Sequence, residues 1–271
     1  MPNDERPWHD APRFPRYVAI GDSSTEGIDD PDGSGGYIGW ADRLAGRLAH
    51  AQGSLLYANL AVRGRHTRQV RKEQLHLAAR MRPTLATVFS GTNDVVSRNF
   101  NLRALAADIE EMQGTLVGAG ATVLTITLPD LTPVMPMARR LTPRVLALND
   151  AVRTAAARTG AIVVDLAAYP VASDRRLWSD DRLHANAVGH ERIAHALAHA
   201  IGVPGADESW KFPLPEQPAR TIVRRLADEL RWVSGHLAPW LWRHARGISS
   251  GDRAAAKRAT LETLEHQIPG R

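Results

Sequence analysis

The sequence predicts an α/β fold: a five-stranded parallel sheet, doubly wound in the flavodoxin-like manner, with a helical extension at its C-terminal end. Two observations predict the sheet. Short apolar, β-branched runs alternate with longer stretches of helical periodicity, the pattern of parallel strands joined by crossover helices. The polar residues able to do chemistry follow those runs directly or stand in loops after them. That is the edge where open α/β sheets bind ligands.

The first run is Tyr17–Ile20, followed by a helical stretch near 38–52. Leu55–Val62 is the second, and a helix near 66–81 leads from it to the third, Leu85–Phe89. Leu102, Leu105, Ile109 and Met112 recur at helical spacing and predict a helix over 101–117 before the strand Thr122–Leu128. Val145, Leu148, Val152 and Ala156 mark a helix over 139–159, and Gly160 is its stop signal before the fifth strand, Ala161–Leu166. Asn186, a favourable N-cap, begins a last helix that runs through Ile193 and Leu197 to Gly202.

These elements divide the chain into an N-terminal extension at 1–15 and an α/β domain at 16–202. Pro204, Pro213, Pro215 and Pro218 mark a linker over 203–219. Over 220–246 Ile222, Leu226, Leu230, Val233 and Leu237 form an apolar stripe, expected to pack on the α/β domain. From Gly247 the chain turns polar and weakly periodic, which predicts a flexible tail over 247–271.

Composition narrows the function. At 271 residues and 44% hydrophobic content the chain can bury a large core, and it contains no cysteine, which removes disulfides and thiolate chemistry. Charges stand in the first ten residues where a secretory signal would be apolar, and glycines break the charge-free stretch from Met112 to Pro129. The simplest location is the cytoplasm. The net charge of +5 is concentrated in 220–246, where six arginines face two acids. A nucleic-acid enzyme would place basic groups around its cleft, so no nucleic-acid partner is expected.

Gly21-Asp22-Ser23-Ser24 closes the first strand, and Asp181-Arg182-Leu183-His184 stands far downstream. A serine nucleophile needs a base for its proton and a carboxylate to orient that base. Asn59-Leu60-Ala61-Val62-Arg63-Gly64 and Gly91-Thr92-Asn93-Asp94 offer oxyanion donors, a backbone N–H that glycine lets approach closely and a side-chain amide. Taken singly, Gly-Asp-Ser is an ordinary strand-to-helix turn, Gly64 a turn glycine and Asn93 an Asx-turn.

Taken together, in the order Ser, Gly, Asn, His, the motifs resemble the SGNH (GDSL-like) hydrolase family over about residues 16–202. Gly27 and the Asn186–His190 segment match as well, while Ser24 departs from the family's usual leucine. The resemblance implies a three-layer α/β/α fold and a serine esterase acting through an acyl-enzyme. It implies Ser23, Asp181 and His184 as the triad and Ser23, Gly64 and Asn93 as the oxyanion hole, without cofactor or metal. Asp180 is a rival orienter, but the Asp-x-x-His spacing selects Asp181.

Three other patterns are set aside. Gly247-Ile248-Ser249-Ser250-Gly251 matches the α/β-hydrolase elbow without a preceding strand and reads as a loop. His190 and His195 are one residue too far apart for a zinc helix and read as a solvated face. The run from Asp29 to Gly36 lacks calcium-loop spacing and reads as a loop beside the site.

The expected partner is a small-molecule ester with a short acyl group. Tyr37, Trp40, Arg63, His66, Val95 and Leu131–Met137 are candidate walls. Three alternatives stay open: a membrane-surface lipase or lysophospholipase using the basic, Trp-containing 220–246 segment, an acyltransferase using the same triad, and a non-catalytic binding module.

Overall fold

The computed structural model describes residues 14–217, 229, 231–237, 251 and 254–265. In chain order the elements begin with β1 (Arg16–Gly21), α1 (Ser23–Glu26), α2 (Gly39–Gln52) and β2 (Ser54–Asn59). Next come α3 (Thr67–Val70), a π turn (Arg71–Leu75), α4 (His76–Arg80), β3 (Leu85–Phe89) and α5 (Thr92–Val96). The domain closes with α6 (Leu102–Gly118), β4 (Thr122–Ile126), α7 (Thr142–Thr159), β5 (Ile162–Val164) and α8 (Ala187–Ala200).

Side chains of β1 alternate between two cores. Tyr17 and Ala19 enter one, Val18 and Ile20 the other, and all four are fully buried. A strand apolar on both faces requires helices on both sides, which is why it reads as a continuous apolar run and not as an alternating one. The sheet has the order β5-β4-β3-β1-β2-β6, where β6 is Arg258–Glu265 and β1 to β5 are parallel. Right-handed crossovers then place α2 and α8 together on one face. The α3–α4 stretch and α6 cover the other, with α7 packed beside α6.

Three strands end earlier than their apolar runs. The fourth strand, β4, stops at Ile126, and Leu128 instead pairs its N–H and its carbonyl with the Asn149 side chain, both at 2.8 Å. Asn59 stops β2, because its side chain donates to Thr25 O at 2.9 Å and accepts from Ala61 N at 3.1 Å, turning the chain. Beyond Val164, Asp165 accepts from the Thr127 hydroxyl at 2.7 Å and from Arg153 at 3.0 Å, so β5 keeps three residues.

The sheet carries a sixth strand that the sequence reading did not anticipate. Within the segment expected to be a flexible tail, Arg258–Glu265 forms β6, antiparallel to β2 with a bulge opposite Tyr57 to Asn59. Leu261 and Leu264 pack on the two cores, while most other positions face out. Two leucines three apart among polar residues give no period of two. The strand exists because the edge of β2 offers unpaired N–H and C=O groups.

The proline-rich linker is also docked where it is described. Trp210 packs edge-on against Tyr169 at 4.8 Å, and Arg192 donates to Trp210 O at 2.9 Å and Phe212 O at 2.6 Å. No helix among the described residues is long and apolar enough to cross a membrane.

Candidate active site

The end of β1 is held from below. The Gln74 side-chain amide accepts from Gly21 N and donates to Gly21 O, both at 2.9 Å, so the strand finishes at a set height. Asp22 then caps α1 by accepting from Ser24 N at 3.1 Å, and Ser23 becomes the first residue of that four-residue helix. The chain leaves α1 through Gly27 at φ 98°, crossing Gly39 so closely that a Cβ on Gly27 would lie 2.7 Å from Gly39 Cα. Glycine at both positions lets the loop fold back and leaves the Ser23 hydroxyl facing the later loops.

His184 arrives from the loop before α8. Its Nε2 lies 2.8 Å from Ser23 Oγ and its Nδ1 lies 2.6 Å from Asp181 Oδ2. With the ring proton on Nδ1, toward the carboxylate, Nε2 is free to accept from the serine. The other oxygen of Asp181 accepts from Leu183 N at 2.8 Å, His184 N at 2.9 Å and the Ser179 hydroxyl at 2.6 Å. The loop is therefore wound around the carboxylate.

Charge follows from this geometry. Burial alone would push the Asp181 carboxyl up, but its hydrogen bonds and the His184 charge hold it far below the usual carboxylate range. Burial pushes the His184 imidazole down, and Asp181, with help from Asp29 and Asp22, outweighs it and raises the imidazole above its ordinary value. Asp180 is 97% exposed and its nearest charge partner is Arg175 at 3.7 Å. It takes no part in the array.

The loops after β2 and β3 meet beside Ser23. Gly21 pairs with Phe89 in register, and Val62 N donates to Gly21 O at 3.3 Å. Asn93, in the first turn of α5, donates from Nδ2 to Arg65 O at 3.0 Å and lies 3.5 Å from Asp22 Oδ2. Gly64 adopts φ 74°, a left-handed conformation that favours glycine. Asp94 ties the same loops by accepting from Thr67 N and Oγ1, both at 2.9 Å. All five predicted residues thus come from adjacent loops at one sheet edge.

A family model described as the GDSL-like lipase/acylhydrolase family matches residues 19–192. The chain belongs to this family. Its fold is also that of solved structures such as a lipase/acylhydrolase from Enterococcus faecalis, 23% identical over 72% of this chain and 99% of that one, with a TM-score of 0.57. An α/β-hydrolase enzyme from the metagenome of Lake Arreo, Spain, is 22% identical over 70% and 96%, with a TM-score of 0.58. An acetyl xylan esterase is 17% identical over 69% and 99%, with a TM-score of 0.57. No curated protein matches the sequence.

In this GDSL-like hydrolase several residues near the Ser23–His184–Asp181 array escaped the sequence reading. Asp29, at φ 69°, places Oδ2 3.8 Å from His184 Nδ1, and the Ser179 hydroxyl lies 2.7 Å from that oxygen. Asp29, Asp181 and His184 are the group of side chains close enough to share a metal ion among the described residues. Two of the three are already engaged with each other and with Ser23. The acidic run at 29–32 was the visible signal for Asp29, but nothing in sequence tells which of its carboxylates turns inward.

His190 corrects the reading of a solvated helix face. It is fully buried, accepts from Trp40 N at 3.1 Å and lies 3.1 Å from Ile28 O, and burial pushes it down to about 4. It is a neutral strut under the α1 loop. The Gly247–Gly251 pattern lies outside the described residues except for Gly251.

Two spaces adjoin the Ser23–His184–Asp181 array. A cavity of about 60 Å³ is lined by Ser23, His184, Phe89, Leu128, Leu166 and Ile193. An open groove of about 1050 Å³ runs past Asp29, Tyr37, Met137, Trp178, Asp181 and Trp232. Of the expected walls, Tyr37, Met135 and Met137 border this groove. Trp40 and Val95 are instead buried in the core, Arg63 is paired with Glu26, and His66 stands 3.6 Å from Asp94.

Proposed function

We propose that this protein hydrolyses short-acyl carboxylic esters through an acyl-enzyme on Ser23. The observation that carries the reading is the continuous Ser23–His184–Asp181 array. Nε2 takes the serine proton as Oγ attacks the carbonyl carbon, and Asp181 stabilises the imidazolium that forms. The Ser23 and Gly64 N–H groups and the Asn93 amide receive the oxyanion. His184 then returns the proton to the departing alkoxide, and water attacks the acyl-enzyme by the same route to release the acid and restore Ser23.

The small apolar cavity beside Ser23 supports a short acyl group, and the groove across the loop has room for a larger alcohol portion. The acetyl xylan esterase among the structural neighbours agrees with a small acyl group. A series of p-nitrophenyl esters tests this directly. kcat/KM is expected to peak at two to four acyl carbons, by estimate about one buried methylene step at a time, and to fall at least tenfold by the octanoyl ester. A profile that climbs steadily to long chains would reject the short-acyl reading.

The pH dependence has a definite sign. The neutral imidazole is the working base, and its ionisation is raised, so kcat/KM should climb through a single step above the ordinary imidazole value of about 6.5. Asp29→Asn removes a negative charge 3.8 Å from Nδ1 and is expected to move that limb toward lower pH. A limb that stays in place would show that Asp29 does not act on His184.

A further inference from the structure

We infer that the C-terminal segment is a positioning device for the catalytic loop: Arg182, clamped by Glu229 and Trp232, holds Asp181 in line with His184. Arg182 stands between those two residues in sequence, is 4% exposed and adopts φ 63°. A non-glycine residue keeps that left-handed conformation when its surroundings over-determine it. The surroundings here come from far along the chain. Nη1 and Nη2 of Arg182 each donate at 2.8 Å to the two oxygens of Glu229, a bidentate fork. The ring of Trp232 covers the guanidinium at 4.4 Å, and its indole Nε1 donates to Asp181 O at 3.2 Å.

This arrangement acts on the triad through the backbone. Asp181 keeps its orientation because Leu183 N and His184 N both donate to Oδ1, and those donors are placed by the turn at Arg182. Trp232 grips the carbonyl before that turn, and Glu229 grips the Arg182 side chain within it. Release of either lets the turn relax, and the 2.6 Å contact from Asp181 to His184 Nδ1 loosens with it. The family match ends at residue 192, so Glu229 and Trp232 both lie outside the part of the chain shared with the family. The extension thereby supplies a control on catalysis that the matched domain lacks.

The inference rests on the assignment of Ser23, His184 and Asp181, and the test separates the two. Full-length Glu229→Gln, Arg182→Lys, Trp232→Phe and Trp232→Ala are compared with Ser23→Ala. Steady-state turnover of a short p-nitrophenyl ester and the rate of Ser23 phosphonylation by a serine-directed phosphonate are measured below each variant's melting range. For Glu229→Gln and Arg182→Lys, kcat and the phosphonylation rate should both fall about ten- to a hundredfold, the scale of a small misplacement of reacting groups, with KM nearly unchanged. The acidic limb of the pH profile should move down as Asp181 loses its hold on the imidazole. Trp232→Phe keeps a ring over Arg182 but loses the N–H, so it should fall between wild type and Trp232→Ala. Glu229 is half exposed, so its variant reads the clamp even where an Arg182 variant does not fold. Wild-type kcat and an unmoved pH limb in Glu229→Gln and Trp232→Phe, with Ser23→Ala inactive, would overturn the clamp and leave the triad intact. Full turnover by Ser23→Ala would overturn the triad itself.

Discussion

Ser23→Ala should remove at least about several thousandfold of esterase turnover while the protein stays folded. Members of a triad act as a unit, so loss of the nucleophile forfeits the contribution of His184 and Asp181 too, and what remains comes from the oxyanion donors and binding. Ser23 makes no packing contribution that alanine would forfeit, since its hydroxyl points to His184 Nε2 at 2.8 Å. The melting temperature should therefore move little. Ser24→Ala is the matched control: Ser24 Oγ lies 3.4 Å from Trp40 Nε1, a long contact away from the imidazole, and its loss should change turnover far less. Turnover by Ser23→Ala within tenfold of wild type, compared at equal concentrations of folded protein, would remove Ser23 from the mechanism.

Asp181→Asn should lower kcat by about 10⁴, the scale known for a triad whose orienting carboxylate becomes an amide. The asparagine NH2 would face His184 Nδ1, favouring the tautomer with its proton on Nε2, which cannot accept from Ser23. Asp180→Asn should leave kcat within about twofold, because that carboxylate is almost entirely in solvent and reaches Arg175 at 3.7 Å. The two substitutions are neighbours in sequence and identical in chemistry, so their comparison isolates geometry. Equal and severe losses would show that the loop, and not the Asp181 carboxylate, is what turnover depends on.

How much of this was legible in the sequence depends on the range of the forces involved. Strands such as Leu85–Phe89 were readable because burial on both faces demands an apolar run, and Asn186 because an N-cap acts within three residues. His190 was misread: the charged Glu191 and Arg192 follow it directly, and the partners that bury it, Trp40 and Ile28, are about 150 residues away. In the apolar stripe expected over 220–246, Val233 proves exposed while Trp232 is buried. Ile222, Leu226 and Leu230 lie outside the described residues. A stripe is set by periodicity, but here the docking partner is a cation and a carbonyl, which favour an indole over a valine.

The sequence by itself determined the five parallel strands and the helices around them, and it pointed to Ser23, Asp181 and His184 as candidates. Hydrophobic period, capping and the Asp-x-x-His spacing all act over a few residues, and each motif stands in a loop after a strand. The tertiary structure alone decided which carboxylates face the imidazole, that β6 completes the sheet, and that Glu229 and Trp232 close on Arg182. Those outcomes turn on the distance and direction between groups far apart in the chain. They are properties of the packed sheet edge, where a few ångströms separate Asp29 and Asp181 at the imidazole from Asp180 in water.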